Sequence, residues 1–269
     1  MGQILFIPHG GGPLPLLGDA GYASLASALR GFHGTISGSK AIILVTAHWE
    51  AELPCLSTAP RPEMLFDYYG FPEESYRFNY PALGATDLVE PVVAALNERG
   101  IGAERDETRG FDHGTFIPMM LMRPEADIPI LQMSLLASLD PRQHLEMGRA
   151  LAGLLDQDIT LIGSGFSFHN IEALIGRNRI DLEEGYAKAK AFHAWMDEAI
   201  CADDVTPDDR ARRLMHWEEA PGARFCHPRE EHLLPLHVCA GAAFEAGFNV
   251  EQIFNEPVKG YQTSGYRWS

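Results

Sequence analysis

The sequence predicts an α/β fold with a central, largely parallel sheet flanked by helices. Short apolar runs rich in β-branched residues recur along the chain, and such nearly continuous hydrophobicity is typical of strands covered on both faces. Helical patterns separate these runs, and strands that alternate with helices favour a mainly parallel sheet. The 269 residues contain no repeat and no low-complexity tract, so we expect one domain over residues 1–269.

The elements follow in order. The predicted strands are Ile4–Ile7, Ala41–Val45, Ile128–Leu131 and Ile159–Ile162. The predicted helices lie around Tyr22–Phe32, Thr86–Arg99, Pro141–Leu155, Leu182–Ala202 and Pro228–Ala246. In the last helix, Pro228 takes the first position, where proline is favoured, and acidic residues fill the first turn. Two connections, Glu50–Ala85 and Asp203–His227, exceed normal loop lengths, and we expect them to form lids or walls of a site.

Composition argues against several classes of protein. The 21 basic and 37 acidic residues give a net charge of −16, and such a surface repels nucleic-acid phosphates and anionic lipid. The N-terminal segment has no basic region of a signal peptide, and no run reaches the ~18–20 apolar residues that span a bilayer. The four cysteines form no CxxC pair, which is typical of reduced cytosolic thiols. We expect a cytoplasmic protein without nucleic-acid or membrane partners.

Histidines follow three of the predicted strands directly. His9 lies in PHGGGP, His48 in TAHW and His169 in SFHN. The carboxyl ends of parallel strands meet at one edge of an α/β sheet, where ligands bind, so these three side chains should lie close together. His113, in a turn before an apolar helix, and His232, near the start of the last helix, are two further candidates. Imidazole nitrogens suit iron, zinc, copper or nickel, so the sequence predicts a metal site at the strand ends.

The other histidines and the glycines beside His9 give less specific predictions. A lone histidine is more often a surface or hydrogen-bonded core residue than a ligand, and we assign no role to four of them: His33, His144, His193 and His216. Gly10 and Gly11 let the backbone approach a bound ligand closely. The glycine run does not match a nucleotide-binding G-x-x-x-x-G-K-[ST] loop.

Taken together, the motifs resemble the class III extradiol ring-cleavage dioxygenases of the LigB-like group. HGGGP, AHW, DHGT, HN and HPREEHLLPL occur in that order, and FDYYGFP with YPA resembles the DOPA-dioxygenase branch. The resemblance covers essentially the whole chain. HGGGP differs from the HGSP common in that branch, so the identity of the substrate is not carried over.

The resemblance implies a non-haem divalent metal, Fe(II) in the active form, with Zn(II) often found in isolated protein. His9 and His48 match the first two ligands of the family. His232 matches the third in the DOPA-type branch, whereas other relatives use a glutamate, so the adjacent Glu231 is an alternative.

The same resemblance implies a small aromatic diol and O2 as partners, in the catabolism of aromatic compounds. His169 matches the acid/base histidine, which can also approach the metal, and His113 matches a second histidine of the pocket. The oligomeric state stays open, with a homo-oligomer as one option.

Aromatic residues are candidates for contact with the substrate. We expect the apolar segment Leu214–Cys226 to wall the pocket through Trp217, with Tyr68 and Tyr69 opposite; Gly10 and Gly11 complete the predicted contacts. Core packing of Trp217 is the alternative, since large aromatic side chains are mostly buried.

Two other functions remain open at this point. Three histidines with an open position also describe a catalytic zinc site, so the chain could be a zinc hydrolase with Glu231 or Glu50 as its base, although it lacks an HExxH motif. A non-catalytic binding protein on the same fold is the second alternative.

Overall fold

Eight strands form one mixed sheet in a computed structural model that describes residues 2–176 and 181–269. The strands are β1 (Gln3–Pro8), β2 (Ala41–Ala51), β3 (Cys55–Ser57), β4 (Glu104–Asp106), β5 (Ile130–Leu136), β6 (Ile159–Gly165), β7 (Val250–Val258) and β8 (Tyr261–Trp268). Their order across the sheet is β4-β3-β5-β2-β6-β1-β8-β7. The middle four, β5-β2-β6-β1, run parallel, so their carboxyl ends meet at one edge.

Antiparallel pairing extends the sheet at both sides. β3 pairs antiparallel with β5, and β8 pairs antiparallel with both β1 and β7. The β7–β8 hairpin extends the sheet beyond β1, so the first and last strands of the chain lie side by side.

Helices cover both faces of the sheet. They are α1 (Ala23–Gly31), α2 (His33–Ile36), α3 (Val89–Glu98), α4 (His113–Met122), α5 (Pro141–Leu151), α6 (Ile171–Leu174), α7 (Leu182–Cys201), α8 (Pro207–Met215), α9 (Ala223–Cys226) and α10 (Leu234–Ala246). One buried cluster joins α1, α2 and α4 to the sheet, and a larger one joins α3, α5, α7, α8 and α10 to the opposite face. The apolar runs of the central strands are buried between these layers, as their unbroken hydrophobicity predicts.

The predicted fold class is confirmed, with corrections to individual elements. β2 continues six residues beyond Val45 and carries His48 within it. The last helix begins at Leu234, not at Pro228, so His232 precedes the helix. The two long connections contain regular elements: β3 lies in the first, and α8 and α9 lie in the second. The single domain stays a prediction.

No helix in the described part of the chain combines the length and the apolar character needed to cross a membrane.

Candidate active site

Two histidines reach the carboxyl edge of the sheet from β1 and β2, the strands on either side of β6. His9 follows β1 directly and is fully buried, and its N–H donates to the carbonyl of Gly165 at the end of β6, at 3.0 Å. His48 lies inside β2, where the register with β5 shifts between Val45 and Glu50. Such an irregularity re-aims side chains that a regular strand would point elsewhere, and here it accompanies the turn of His48 toward His9.

His113 is positioned by the start of α4. Asp112 caps this helix, since its carboxylate accepts from the N–H of Thr115 at 3.1 Å, and it also accepts from the hydroxyl of Thr46 on β2 at 2.8 Å. Arg109 donates to Asp112 at 2.8 Å and to the carbonyl of His48 at 3.0 Å. One buried network therefore holds β2 and the first turn of α4 together.

His232 is held by close backbone contact with β6. Its carbonyl accepts from the N–H of Phe166 at 2.9 Å. A Cβ added to Gly165 would lie 2.3 Å from this carbonyl oxygen, and one added to Gly163 would lie 2.6 Å from the carbonyl oxygen of Pro235 in α10. The two glycines therefore let the segment before α10 lie directly on the end of β6.

Three imidazole nitrogens converge at this edge. The Nε2 atoms of His9 and His48 lie 3.0 Å apart, and those of His48 and His232 lie 3.2 Å apart. His113 packs beside His48 with ring centroids 3.9 Å apart, and His169 stacks on His232 with centroids 3.3 Å apart. The five predicted histidines therefore form one cluster.

Hydrogen bonds define which nitrogens carry protons. Ser164 donates its hydroxyl proton to the carbonyl of Gly114, so its oxygen accepts from Nδ1 of His9 at 3.1 Å. Nδ1 of His232 donates to Oε1 of Glu231 at 2.8 Å. Nε2 of His9 and of His232 consequently bears a lone pair, because a neutral imidazole carries only one N–H.

Burial keeps these rings neutral. It is the largest cause that lowers the pKa of His9 well below its usual value, and the neighbouring histidines lower it further. Burial likewise lowers the pKa of His48 and of His232 well below the ordinary value, with His113 and His169 respectively as the next causes. Neutral imidazoles are the form that ligates metals.

The donor set fits a divalent cation. Nε2 of His48 faces the lone pairs of both His9 and His232, at 3.0 and 3.2 Å, and a single proton on it can satisfy only one of them, so a positive charge between the three nitrogens is favourable. Nitrogen ligands about 2.1 Å from a metal and at right angles to each other lie about 3.0 Å apart. Two sets of ligand atoms are each contained within 4.8 Å, namely His9 with His48 and His113, and His169 with Glu231 and His232. The short contact between His48 and His232 joins the two sets.

Glu231 serves two histidines. Its Oε1 accepts from Nδ1 of His232 at 2.8 Å and from Nδ1 of His169 at 3.1 Å. Burial would raise the pKa of Glu231, but the hydrogen bond and charge of His169 outweigh it, so the pKa falls below its usual value. A carboxylate committed in this way orients both rings. Among the described residues, no hydrogen bond engages Nε2 of His169.

Asp67 orients His113 in the same way. Its Oδ1 accepts from the backbone N–H of His113 at 3.0 Å and from Nδ1 at 2.8 Å. Burial would raise the pKa of Asp67, yet the hydrogen bond and charge of His113 and the charge of His48 lower it to about 2. Sequence reasoning assigned no role to Asp67 or Ser164; Asp67 lies in the FDYYGFP motif, whereas nothing local distinguishes Ser164.

A pocket of about 250 Å³ opens beside the histidines. Its lining includes two predicted contact glycines, Gly10 and Gly11, together with Tyr68 and four of the clustered histidines, His48, His113, His169 and His232. Phe71 and Phe166 supply aromatic walls that were not predicted. The volume suits one substituted aromatic ring.

Two predicted contacts lie elsewhere. Trp217 is fully buried, with its ring 6.5 Å from that of Phe192 and 5.9 Å from that of His227, and it does not line the pocket. The expectation that Leu214–Cys226 is a wall of the pocket is thereby corrected: this segment packs into the core through its buried apolar side chains. Tyr69 is 91% exposed.

Comparisons with known proteins point to one family. A family model described as the catalytic LigB subunit of aromatic ring-opening dioxygenase matches residues 19–265. The dioxygenase tasH of Hapsidospora irregularis is 43% identical over 91% of this chain and 79% of its own length. The 4,5-DOPA dioxygenase extradiol of Beta vulgaris is 35% identical over 77% of this chain and 74% of its own. The crystal structure of an uncharacterized protein from Escherichia coli K12 covers 99% of both chains with a TM-score of 0.79 and 25% identity.

Proposed function

We propose that His9, His48 and His232 bind the metal ion of this enzyme. The chain belongs to the LigB family of aromatic ring-opening dioxygenases and is an extradiol ring-cleavage dioxygenase. The observation that carries the assignment is the convergence of their Nε2 atoms at 3.0 and 3.2 Å. Glu231 is the weaker candidate for third ligand, because its Oε1 accepts from two histidines and its Oε2 lies 3.4 Å from Nη1 of Arg229.

We take Fe(II) as the ion of the active enzyme and expect Zn(II) to occupy the same nitrogens, since imidazoles suit both. When bound, the ion supplies the positive charge that favours catecholate and the redox partner through which the ring's electrons reach O2. Both oxygen atoms enter the product, an unsaturated acid with an aldehyde or ketone at the other side of the opened bond.

His169 acts as the acid/base group. Its Nδ1 is held by Glu231 at 3.1 Å, which leaves Nε2 to accept a hydroxyl proton of the catechol and to return it later. The carboxylate stabilises the imidazolium that forms in between, as it does in other carboxylate–histidine pairs. Such general acid–base catalysis contributes ~10²–10⁴-fold.

His113 positions the bound ring. Asp67 fixes its Nδ1 at 2.8 Å, so that Nε2 is available to a hydroxyl of the substrate or to O2. Phe71 and Phe166 line the pocket with apolar surface, and polar interactions are stronger in such surroundings than in bulk water.

The relatives' names favour this reaction over the two alternatives, the zinc hydrolase and the non-catalytic binding protein. The test is anaerobic reconstitution with Fe(II), then addition of O2 and catechols while O2 uptake and the yellow ring-opened product are followed. One O2 consumed per catechol supports the proposal. Metal-loaded protein that hydrolyses esters but does not react with catechols would contradict the proposal.

The third ligand is tested by a pair of variants. His232→Ala should lose the metal, whereas Glu231→Ala should keep it at reduced affinity, as measured by metal content after dialysis. The reverse pattern would make Glu231 the ligand.

A further inference from the structure

The pocket wall beyond the histidines carries no formal charge. Among the residues that the structure describes, its lining contains no Lys, Arg, Asp or Glu. Backbone of Gly10–Gly12 forms one side, and Leu14, Phe71 and Phe166 contribute apolar surface. A ring substituent that enters this pocket therefore meets carbon and neutral dipoles.

Two hydroxyls of the lining are also neutral and constrained. The hydroxyl of Tyr68 donates to the carbonyl of Ser75 at 2.6 Å. The hydroxyl of Tyr22 lies against Gly11, since a Cβ added there would be 2.5 Å from it. Burial, followed by the charge of Asp19, raises the pKa of Tyr22 to about 12. Neither hydroxyl supplies a charge at neutral pH.

The mouth of the pocket is apolar as well. Ile171, Leu174 and Ile175 line it, and Ile171 and Ile175 are 56% and 54% exposed. Asn170 holds this short helix in place, because its side chain accepts from the N–H of Ala173 at 3.0 Å and donates to the carbonyl of Phe225 at 2.8 Å. Exposed apolar side chains grouped at a pocket mouth are typical of a ligand contact.

Three charged side chains close to the site have partners among the described residues. Arg229 donates to both oxygens of Glu50 at 2.6 Å, and Lys259 lies 3.0 Å from Asp19. Glu231 faces two histidines. A carboxylate or ammonium held inside the pocket would find no counter-charge among the described lining residues, and burial of an unpaired charge is strongly unfavourable.

We propose that the substrate is a catechol whose ring substituent is uncharged and apolar. The inference rests on the proposed ring-cleavage function and narrows its substrate class. The proposed substrate differs from that in the name of the relatives called 4,5-DOPA dioxygenase extradiol, because DOPA carries an ammonium and a carboxylate on its side chain.

Three catechols of similar size test the proposal: 4-ethylcatechol, dopamine, and 3,4-dihydroxyphenylacetate. With the Fe(II)-reconstituted enzyme, kcat/KM from O2 uptake should be at least ~10-fold higher for 4-ethylcatechol than for either charged compound, the scale of one unpaired charge. Equal or higher values for dopamine or 3,4-dihydroxyphenylacetate would overturn the inference.

Binding without turnover separates this inference from the reaction itself. Anaerobic calorimetry on zinc-loaded protein should rank the three catechols in the same order. If no catechol is opened but the ranking holds, the ring-cleavage proposal fails while the apolar preference stands. If a charged catechol binds as tightly as 4-ethylcatechol, the preference is wrong whatever the turnover.

Variants at the mouth provide a second test. Ile175→Arg places a cation beside the pocket and should raise the ratio of kcat/KM for 3,4-dihydroxyphenylacetate to that for 4-ethylcatechol by about 10-fold. Leu53→Arg is the matched control, since Leu53 is 41% exposed and does not line the pocket; its ratio should equal that of the unmodified enzyme. An unchanged ratio in both Ile175→Arg and Ile171→Arg would contradict the proposed role of the mouth.

Discussion

Two groups of buried histidines differ in the atoms that their rings meet. His144 and His193 lie in the larger core, and both ring nitrogens of each have a protein partner. Nδ1 of His144 donates to the carbonyl of Asp140 at 2.7 Å, and its Nε2 accepts from the N–H of Leu136 at 3.1 Å. At the sheet edge, Nε2 of His9 and of His48 face each other at 3.0 Å.

Burial alone does not distinguish the two groups. Burial lowers the pKa of His144 and of His193 to about 4, and it lowers the pKa of His9 in the same direction. The difference lies in the partners of the ring nitrogens. Both nitrogens of each core ring have a backbone or hydroxyl partner, whereas the Nε2 atoms of His9, His48 and His232 meet one another and cannot all be satisfied by protons, which favours a cation between them. Partner atoms, more than burial or pKa, indicate which histidine has a chemical role.

The largest contrast is expected on truncation. His9→Ala should remove stoichiometric metal and lower turnover by at least ~10³-fold, since catalysis depends on the ion, while the fold persists. Metal content after dialysis and O2 uptake measure the two effects.

His193→Ala is the matched variant from the core. It should keep one metal ion per chain and lose about 1–3 kcal/mol of stability, because Nδ1 bonds to Ala189 and Nε2 to Ser167. The comparison breaks down if His193→Ala loses the metal at a temperature where it is folded, or if His9→Ala retains it.

The acid/base histidine should give the next largest effect. His169→Ala should keep the metal and lose ~10²–10⁴-fold in turnover with catechol. The loss should be smallest with 4-nitrocatechol, whose hydroxyl protons leave more easily. A variant that loses its metal would identify His169 as a ligand, and one with full turnover would leave His113 as the candidate base.

A moderate effect is expected from the carboxylate behind the rings. Glu231→Gln should weaken metal affinity by ~10–100-fold, the usual range for groups that orient ligands. Glu50→Gln is the control, because Glu50 pairs with Arg229 at 2.6 Å and contacts none of the histidines. Competition with a chromophoric chelator measures both; equal affinities in the two variants would argue against the orienting role of Glu231.

The smallest effect concerns pH. The pKa of His193 is about 4 in the folded chain and ordinarily 6.5, so the unfolded chain binds a proton that the folded chain does not between these values. The free energy of unfolding should therefore fall as the pH drops from 6.5 to 4, by up to about 1.4 kcal/mol per pH unit for each such histidine. His193→Gln should reduce this slope, as urea unfolding at pH 7, 6 and 5 would reveal; an unchanged slope would contradict the lowered pKa.

The central strands and the clustering of the histidines could be predicted from the sequence alone. Each central strand is a buried apolar run, and the topology of parallel strands brings the residues that follow them to one edge. The β7–β8 hairpin escaped prediction, because its polar residues, such as Glu251 and Gln262, interrupt any apolar run.

Two features of the site depend on contacts between distant segments. The irregular pairing of β2 around His48 depends on β5, about 85 residues further along the chain. The helix start misread at Pro228 depends on β6: the carbonyl of His232 accepts from Phe166, so the chain turns over the strand end before α10 begins. A local capping pattern carries no information about such a partner.

The contact of β6 with the start of α10 has a consequence for how the protein tolerates mutation. Gly163 and Gly165 bring strand backbone against the carbonyls of Pro235 and His232, so a side chain at either position would push this segment away from β6. Evolution at these two positions is therefore restricted by the placement of a histidine on another element, although neither glycine offers an atom to a ligand.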